Sequence, residues 1–255
     1  MERTLSSEAK AKVGKKVLVK GWLHNVRDIG KILFLIIRDR DGFIQIVVDN
    51  KDEINKVKHL QSGSVLYIEG EVKATESTEQ GVEIINPKIS VEVEVKDVPP
   101  INYYKKSVDV NVDTELDYRP LVIRNPKKAA IFKGQAGILK AFGDSMRAQG
   151  FTEFRSPVLM GVPSESGASV FEVNYFEGKA YLAQSPQIYK QIMVGAFERV
   201  FTIATVFRAE KHNTSRHLME ITQMDGEMGF IDSYDEALEV IEKVIRDIFA
   251  YLESN

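Results

Sequence analysis

No cysteine occurs among the 255 residues, which excludes a disulfide framework, a thiolate metal site and a thiol nucleophile, and agrees with a reducing compartment. No apolar run approaches the roughly 20 residues a membrane helix needs, and the opening MERTLSSEAKAKVGKK lacks the apolar stretch of a signal peptide. A soluble, cytoplasmic protein is the expectation. Net charge is scarce too: 34 basic against 37 acidic side chains leave -3, so broad attraction to nucleic acid is not encoded, although a local basic groove can still bind RNA. Internal repeats and low-complexity segments are also missing. What is there is 44% apolar and 28% charged residues, enough for one large core or two modest ones, and two domains are expected.

From Lys16 to Val95 the sequence alternates in short β-rich runs, KVLVKGWLHNV, ILFLIIRD, FIQIVVD, SVLYIEGEVK and VEIINPKISVEV. Five strands suit a small barrel, of OB or SH3-like type. The intervening DNKDEINKVKHLQSG reads as a helix ending at Gly63, and a helix between the third and fourth strands matches an all-β OB-fold barrel. Asp41-Gly42 predicts a hairpin turn, because both residues tolerate positive φ. The stretch DVPPINYYKKS, with adjacent prolines and no periodicity, reads as a hinge. The expected division is a barrel over 1–96, a hinge over 97–124 and a second domain over 125–255.

Beyond the hinge, apolar residues at helical spacing predict a long helix capped by Asn125 before Pro126 and stopped at Gly150. FTEFRSPVL and AYLAQ read as strands, SPQIYKQIMVGAF as a helix, RVFTIATVFRAE and MEITQMDGEMGF as two strands around a polar loop, and YDEALEVIEKVIRDIFAYL as a closing helix. That irregular order predicts an α+β domain on an antiparallel sheet with flanking helices.

Side chains alternate across a strand, so Ala204, Val206, Arg208 and Glu210 share one face while Phe201, Ile203, Thr205 and Phe207 share a core face. On the returning strand Ile221, Gln223, Asp225 and Glu227 lie together. A face carrying Arg208, Glu210, Asp225 and Glu227 is either solvated or built to bind something. The loop KHNTSRH adds Lys211, Arg216 and His217, which suit phosphate. In AQSPQIYKQ, Ser185 can cap a helix with Pro186 in its first turn. Gln187 and Lys190 then stand on one side, as receivers of a carboxylated ligand or as ordinary surface groups. SESGAS, Ser164 to Ser169, reads as a plain turn or as a loop that presents Glu165 to an ammonium group.

Together these segments resemble the class II aminoacyl-tRNA synthetases, and within them the aspartate group of archaeal and eukaryotic type. The long helix with FTEFRSPVL is similar to motif 1, VFRAEKHNTSRHLMEITQMDGEM to motif 2, and LAQSPQIYKQ to the aspartate group's signature. The resemblance implies ATP-dependent activation of L-aspartate to aspartyl-adenylate and transfer to tRNA(Asp), with ATP and Mg2+, and a homodimer through motif 1. By the same resemblance Arg208 holds the ATP α-phosphate and the substrate carboxylate, Glu210 faces the adenine, and Arg216 with His217 serves the γ-phosphate. Glu165, Gln187 and Asp225 would surround the α-ammonium of aspartate, and Lys190 its side-chain carboxylate. Many members carry a stacking phenylalanine where this chain has Ile221.

The first domain resembles the group's anticodon-binding OB-fold, with Phe34 to stack on a base, Gln45 to read its edge and Arg27 nearby. Phe34 is alternatively a core residue, and Trp22 reads as core. His24 stands where enzymes that also charge tRNA(Asn) often carry histidine, which extends the implied tRNA choice. Motif 3, the acidic residues that hold magnesium and the arginine that partners Lys190 are not found before Asn255. No metal ligand within this chain is therefore expected, and the chain by itself is expected to be inactive or severely impaired. Two rival readings remain: a non-catalytic tRNA-binding paralogue, and an asparaginyl enzyme, whose group does not carry the lysine at 190.

Overall fold

The structure is a computed structural model that describes all residues except 166–168, 212, 213, 215 and 216. By internal contacts the chain divides into two compact units, Met1–Ala129 and Ala130–Asn255.

In the first unit, β1 (Lys16–Asp28), β2 (Leu33–Arg38), β3 (Phe43–Val48), β4 (Val65–Ala74) and β5 (Val82–Val93) close into a barrel in the order β1-β2-β3-β5-β4. All neighbours are antiparallel except β3 and β5, which join in parallel through Gln45↔Glu83 and Ile46↔Ile84. The helix α1 (Lys51–Val57) lies between β3 and β4 as the OB topology requires, capped by Asn50, whose side chain accepts from the N–H groups of Asp52 and Glu53. It ends earlier than expected, and turns carry the chain on to Gly63 at φ +99°. Alternation works as the period of two dictates: Leu33, Leu35, Ile37, Ile44, Ile46, Val48, Leu66 and Ile68 point inward and are buried.

Two expectations are corrected here. The β2–β3 turn forms, but neither Asp41 nor Gly42 takes positive φ. The turn is held instead by buried Asp39, whose carboxylate accepts from Asp41 N–H at 2.9 Å, Gly42 N–H at 3.0 Å, and Ser6 through its backbone N–H (2.6 Å) and its hydroxyl (2.7 Å). Burial opposes the charge of Asp39, yet these donors outweigh it and leave its pKa below the ordinary value. Trp22, expected in the core, is 41% exposed, because it falls on the outward phase of β1 with the Arg38 guanidinium 4.9 Å above its ring.

The segment 97–124 is compact with the barrel in the first unit. It buries Ile101 and Tyr103 and contains α2 (Val112–Asp117) and α3 (Arg119–Val122). The division by contacts falls inside the first turn of α4 (Pro126–Ala148), whose Asn125 accepts from the Lys127 N–H as the expected cap and donates to the carbonyls of Tyr103 and Lys105.

The second unit is built on β10 (Arg199–Phe207) and β11 (Glu220–Met228), an antiparallel pair, after β6 (Thr152–Glu153), β7 (Leu159–Met160), β8 (Glu172–Tyr175), β9 (Gly178–Leu182) and α5 (Gln187–Phe197). The main sheet runs β11-β10-β6: the β10–β11 pair is antiparallel, as expected, and the two-residue β6 joins β10 in parallel at its edge. FTEFRSPVL is correspondingly broken into β6 and β7, the latter in a small sheet β7-β9-β8. The helices α4 and α6 (Tyr234–Ser254) supply Phe142, Met146 and Val244 to a core completed by Phe151 and Phe201. Gly226 permits this packing: a Cβ there would stand 2.8 Å from the Met146 terminal methyl.

Candidate functional site

The β10–β11 register sets Thr202 opposite Asp225, Ala204 opposite Gln223 and Val206 opposite Ile221. Opposed residues share a face, so Asp225, Gln223 and the continuation of β10 toward Arg208 project to the same side, away from the Phe201 core. The helix α5 packs against both strands on its way past this face. Pro186 occupies its cap position, correcting the expectation for Ser185, whose hydroxyl accepts from the Gln187 N–H one residue outside.

From α5, buried Lys190 reaches β11 and donates to Asp225 Oδ1 at 2.6 Å, with Glu227 Oε2 at 3.2 Å. One cation thus faces two carboxylates in a largely desolvated place, and the cluster keeps a surplus negative charge. Gln187 is half-buried at the start of the same helix. Arg208 stands just past β10, its Nη2 3.8 Å from Glu165 Oε2. Buried Arg208 Nε and Gln223 Oε1 have no hydrogen-bond partner among the described residues. An orphaned donor and an orphaned acceptor on one polar face are what a ligand with both functions would satisfy. Glu210 is half-buried beyond Arg208, and His217 is exposed with Thr214 Oγ1 2.6 Å from its Nδ1. Arg216 lies outside the described residues. Among the described residues no three His, Asp or Glu side chains form a cation cage, and Asp225 and Glu227 are committed to Lys190.

The barrel presents a second candidate surface. Its outer rows are Trp22, Arg38 and Phe43; then Asn25, Ile36, Gln45 and Glu83; then Arg27, Phe34 and Val47. Aromatic and cationic groups interleaved on one open sheet face are suited to stacking bases and neutralising phosphates. Phe34 is half-buried on that face, Gln45 half-buried, and Arg27 exposed. His24 is only 9% exposed, set beside a register shift in β1 with its ring 4.7 Å from that of Phe43. Burial first, and the Arg38 charge second, hold its pKa below the ordinary value, so the ring is neutral near pH 7. It lines a cavity of about 360 Å³ whose rim carries Lys105, Lys106 and Lys127.

Sequence reading missed three residues here. Glu83, buried on β5, accepts from Gln45 Nε2 at 3.1 Å and fixes which end of that amide faces outward. Glu227 had a face but no partner, and Gln184 had no role. An acid within the apolar start of the strand, Val82 to Ile85, was the only available signal for Glu83, since the β3–β5 pairing is not written in the strand pattern.

The family model of tRNA synthetases class II (D, K and N) matches residues 111–255, and that of the OB-fold nucleic acid binding domain matches 17–92. An aspartate--tRNA(Asp/Asn) ligase of Methanococcus vannielii is 40% identical over 248 residues, 95% of this chain and 56% of that protein. An aspartate--tRNA(Asp) ligase of Pyrococcus abyssi is 39% identical over 247 residues, again 95% and 56%. Among solved structures, asparaginyl-tRNA synthetase from Pyrococcus horikoshii complexed with asparaginyl-adenylate aligns with a TM-score of 0.88 at 31% identity, covering 98% of this chain and 59% of that one. The chain spans little more than half the length of the relatives it matches.

Proposed function

The chain belongs to the class II tRNA synthetases of the D, K and N group, and from that premise we propose that it carries the aspartate-binding, ATP-binding and anticodon-reading parts of an aspartate–tRNA ligase. The observation that carries this reading is the arrangement of Lys190 between Asp225 and Glu227 on the face that leads to Arg208. Aspartate brings one ammonium and two carboxylates. Its ammonium draws Asp225, with Glu165 and Gln187 beside it, and its side-chain carboxylate takes the place that Asp225 leaves on Lys190. The exchange conserves ion pairs, so the desolvated cluster is never left with an unmatched cation. Asparagine offers only a neutral amide to the ammonium of Lys190, a weaker partner.

In this reading Arg208 neutralises the α-phosphate while the substrate carboxylate oxygen attacks the α-phosphorus. A P–O bond forms, the α–β bond breaks, and pyrophosphate leaves. The terminal ribose hydroxyl of tRNA then attacks the carbonyl of the adenylate and AMP departs. Glu210 faces the adenine amino group, and His217 with Arg216 serves the γ-phosphate. Mg2+ would supply further charge neutralisation at the phosphates; the described residues offer it no cage, and none of these residue roles depends on it. The RNA partner is tRNA(Asp), with tRNA(Asn) also accepted, read by Phe34, Gln45, Arg27 and His24. Half-exposed Phe132 and exposed Ile131 on α4 suit a homodimer, and the cytoplasm suits a protein in which no described helix is long and apolar enough to cross a membrane.

The test is L-aspartate-dependent exchange of pyrophosphate into ATP, run on this chain and on one extended to the relatives' length. Activity with L-aspartate that Lys190→Met abolishes supports the assignment. Activity with L-asparagine instead defeats it in favour of the asparaginyl reading, and silence in both chains favours a non-catalytic RNA-binding protein.

A further inference from the structure

Gln184 lies in the short connection between β9 and α5 and is fully buried. Its neighbours tie that connection to three other segments. Ala183 N–H donates to the Val158 carbonyl at 2.8 Å, and the Ala183 carbonyl accepts from Phe207 N–H, also at 2.8 Å. Gln184 and Ser185 N–H groups donate to the Ser164 hydroxyl at 2.9 and 3.3 Å. The Gln184 side chain adds the bond that reaches furthest toward the ligand face: its Oε1 accepts from Glu165 N–H at 3.1 Å. Glu165 is the residue whose carboxylate stands 3.8 Å from Arg208. The other end of the same amide, Nε2, is buried without a partner among the described residues. A side chain that leaves half its hydrogen-bonding capacity unspent in the interior is retained for its other half.

We propose that Gln184 is a positioning residue for ligand binding: its side-chain carbonyl clamps the Glu165 backbone and thereby keeps the Glu165 carboxylate beside Arg208. This deepens the aspartate reading and rests on it for the role of Glu165, while the clamp itself is a property of the free protein. Ser164 is held by its hydroxyl and Glu165 by its backbone N–H, so two consecutive residues are tied to the same connection.

Two substitutions separate positioning from packing. Gln184→Met keeps length and apolar bulk but offers Glu165 no acceptor; Gln184→Glu keeps an acceptor oxygen, gives up the Nε2 donor that no described residue uses and, because burial disfavours the carboxylate, is the matched control in its protonated form. The readouts are amide hydrogen exchange of Glu165, with Phe201 in the sheet core as the control, and the dissociation constants for L-aspartate and ATP. In Gln184→Met, Glu165 exchange rises and L-aspartate binding weakens, each by about tenfold, as loss of one hydrogen bond implies, while Phe201 exchange and ATP affinity stay as they were. Gln184→Glu restores Glu165 protection. Unchanged Glu165 exchange in Gln184→Met overturns the proposal, as does equal loss of protection in both variants, or faster exchange at Phe201 as well, which is the mark of a packing role. If exchange responds as expected while a chain extended to the relatives' length ignores L-aspartate, the clamp stands and the assignment of Glu165 to an ammonium group falls.

Discussion

The two units treat their buried acids differently. In the barrel every strand has two neighbours, and the acids that fall inside are met by donors, as Asp39 is by Ser6, Asp41 and Gly42. In the second unit β11 has a neighbour on one side only among the described strands. There a lysine is shared by two carboxylates, and Arg208 Nε and Gln223 Oε1 have no hydrogen-bond partner among the described residues. Neither unit is saturated, since His24 Nδ1 and the Tyr103 hydroxyl in the first also lack a hydrogen-bond partner among the described residues; what sets the second apart is that its unspent capacity lies on the sheet face that carries the Lys190 ion pairs.

The largest expected break in this contrast is Lys190→Met. Removing the cation leaves Asp225 and Glu227 facing each other in a partly desolvated site, which costs about 3 kcal/mol of stability in the second unit by denaturant titration. Pairing it with Asp225→Asn and Glu227→Gln should recover most of that loss. Next is Asp39→Ala, expected to cost about 2 kcal/mol by releasing the β2–β3 turn and Ser6 together, read as a lower midpoint for barrel unfolding. Phe34→Ala should leave barrel stability nearly unchanged but weaken binding of an anticodon stem-loop by about 1–2 kcal/mol, as loss of one stacking platform does; an equal loss of stability would return Phe34 to the core.

The smallest effect concerns acid. His24 has a lowered pKa in the fold, so between that value and the ordinary 6.5 the unfolded chain binds the extra proton and stability rises with pH. Lowering the pH from 7 toward 5 should thus lower the barrel's melting temperature, and His24→Phe should remove that share of the slope.

The barrel was legible because inward and outward residues alternate over five runs, which puts Leu33, Leu35 and Ile37 on the buried side of the strand and Phe34 and Ile36 on the other. What closes it was not: Gln45 and Glu83 are 38 residues apart, and their pairing depends on where two strands meet in space. In the second unit the motifs brought Lys190 and Asp225 into one hypothesis although they are 35 residues apart in the chain. Yet Gln184 remained silent, since nothing local distinguishes a glutamine that spends its carbonyl on a backbone from one that faces water. Trp22 failed for a plainer reason: residue type outvoted phase, and the strand's period was the better guide.

The parallel seam between β3 and β5 consists of two register pairs, and one of them is Gln45 with Glu83. A cylinder opens first where its staves are least fastened, so Gln45, proposed above to read a base, also sits on the barrel's zip. A polynucleotide lying across that line would act as a clasp, and the cylinder would gain resistance to unrolling in proportion to how tightly the strand is held.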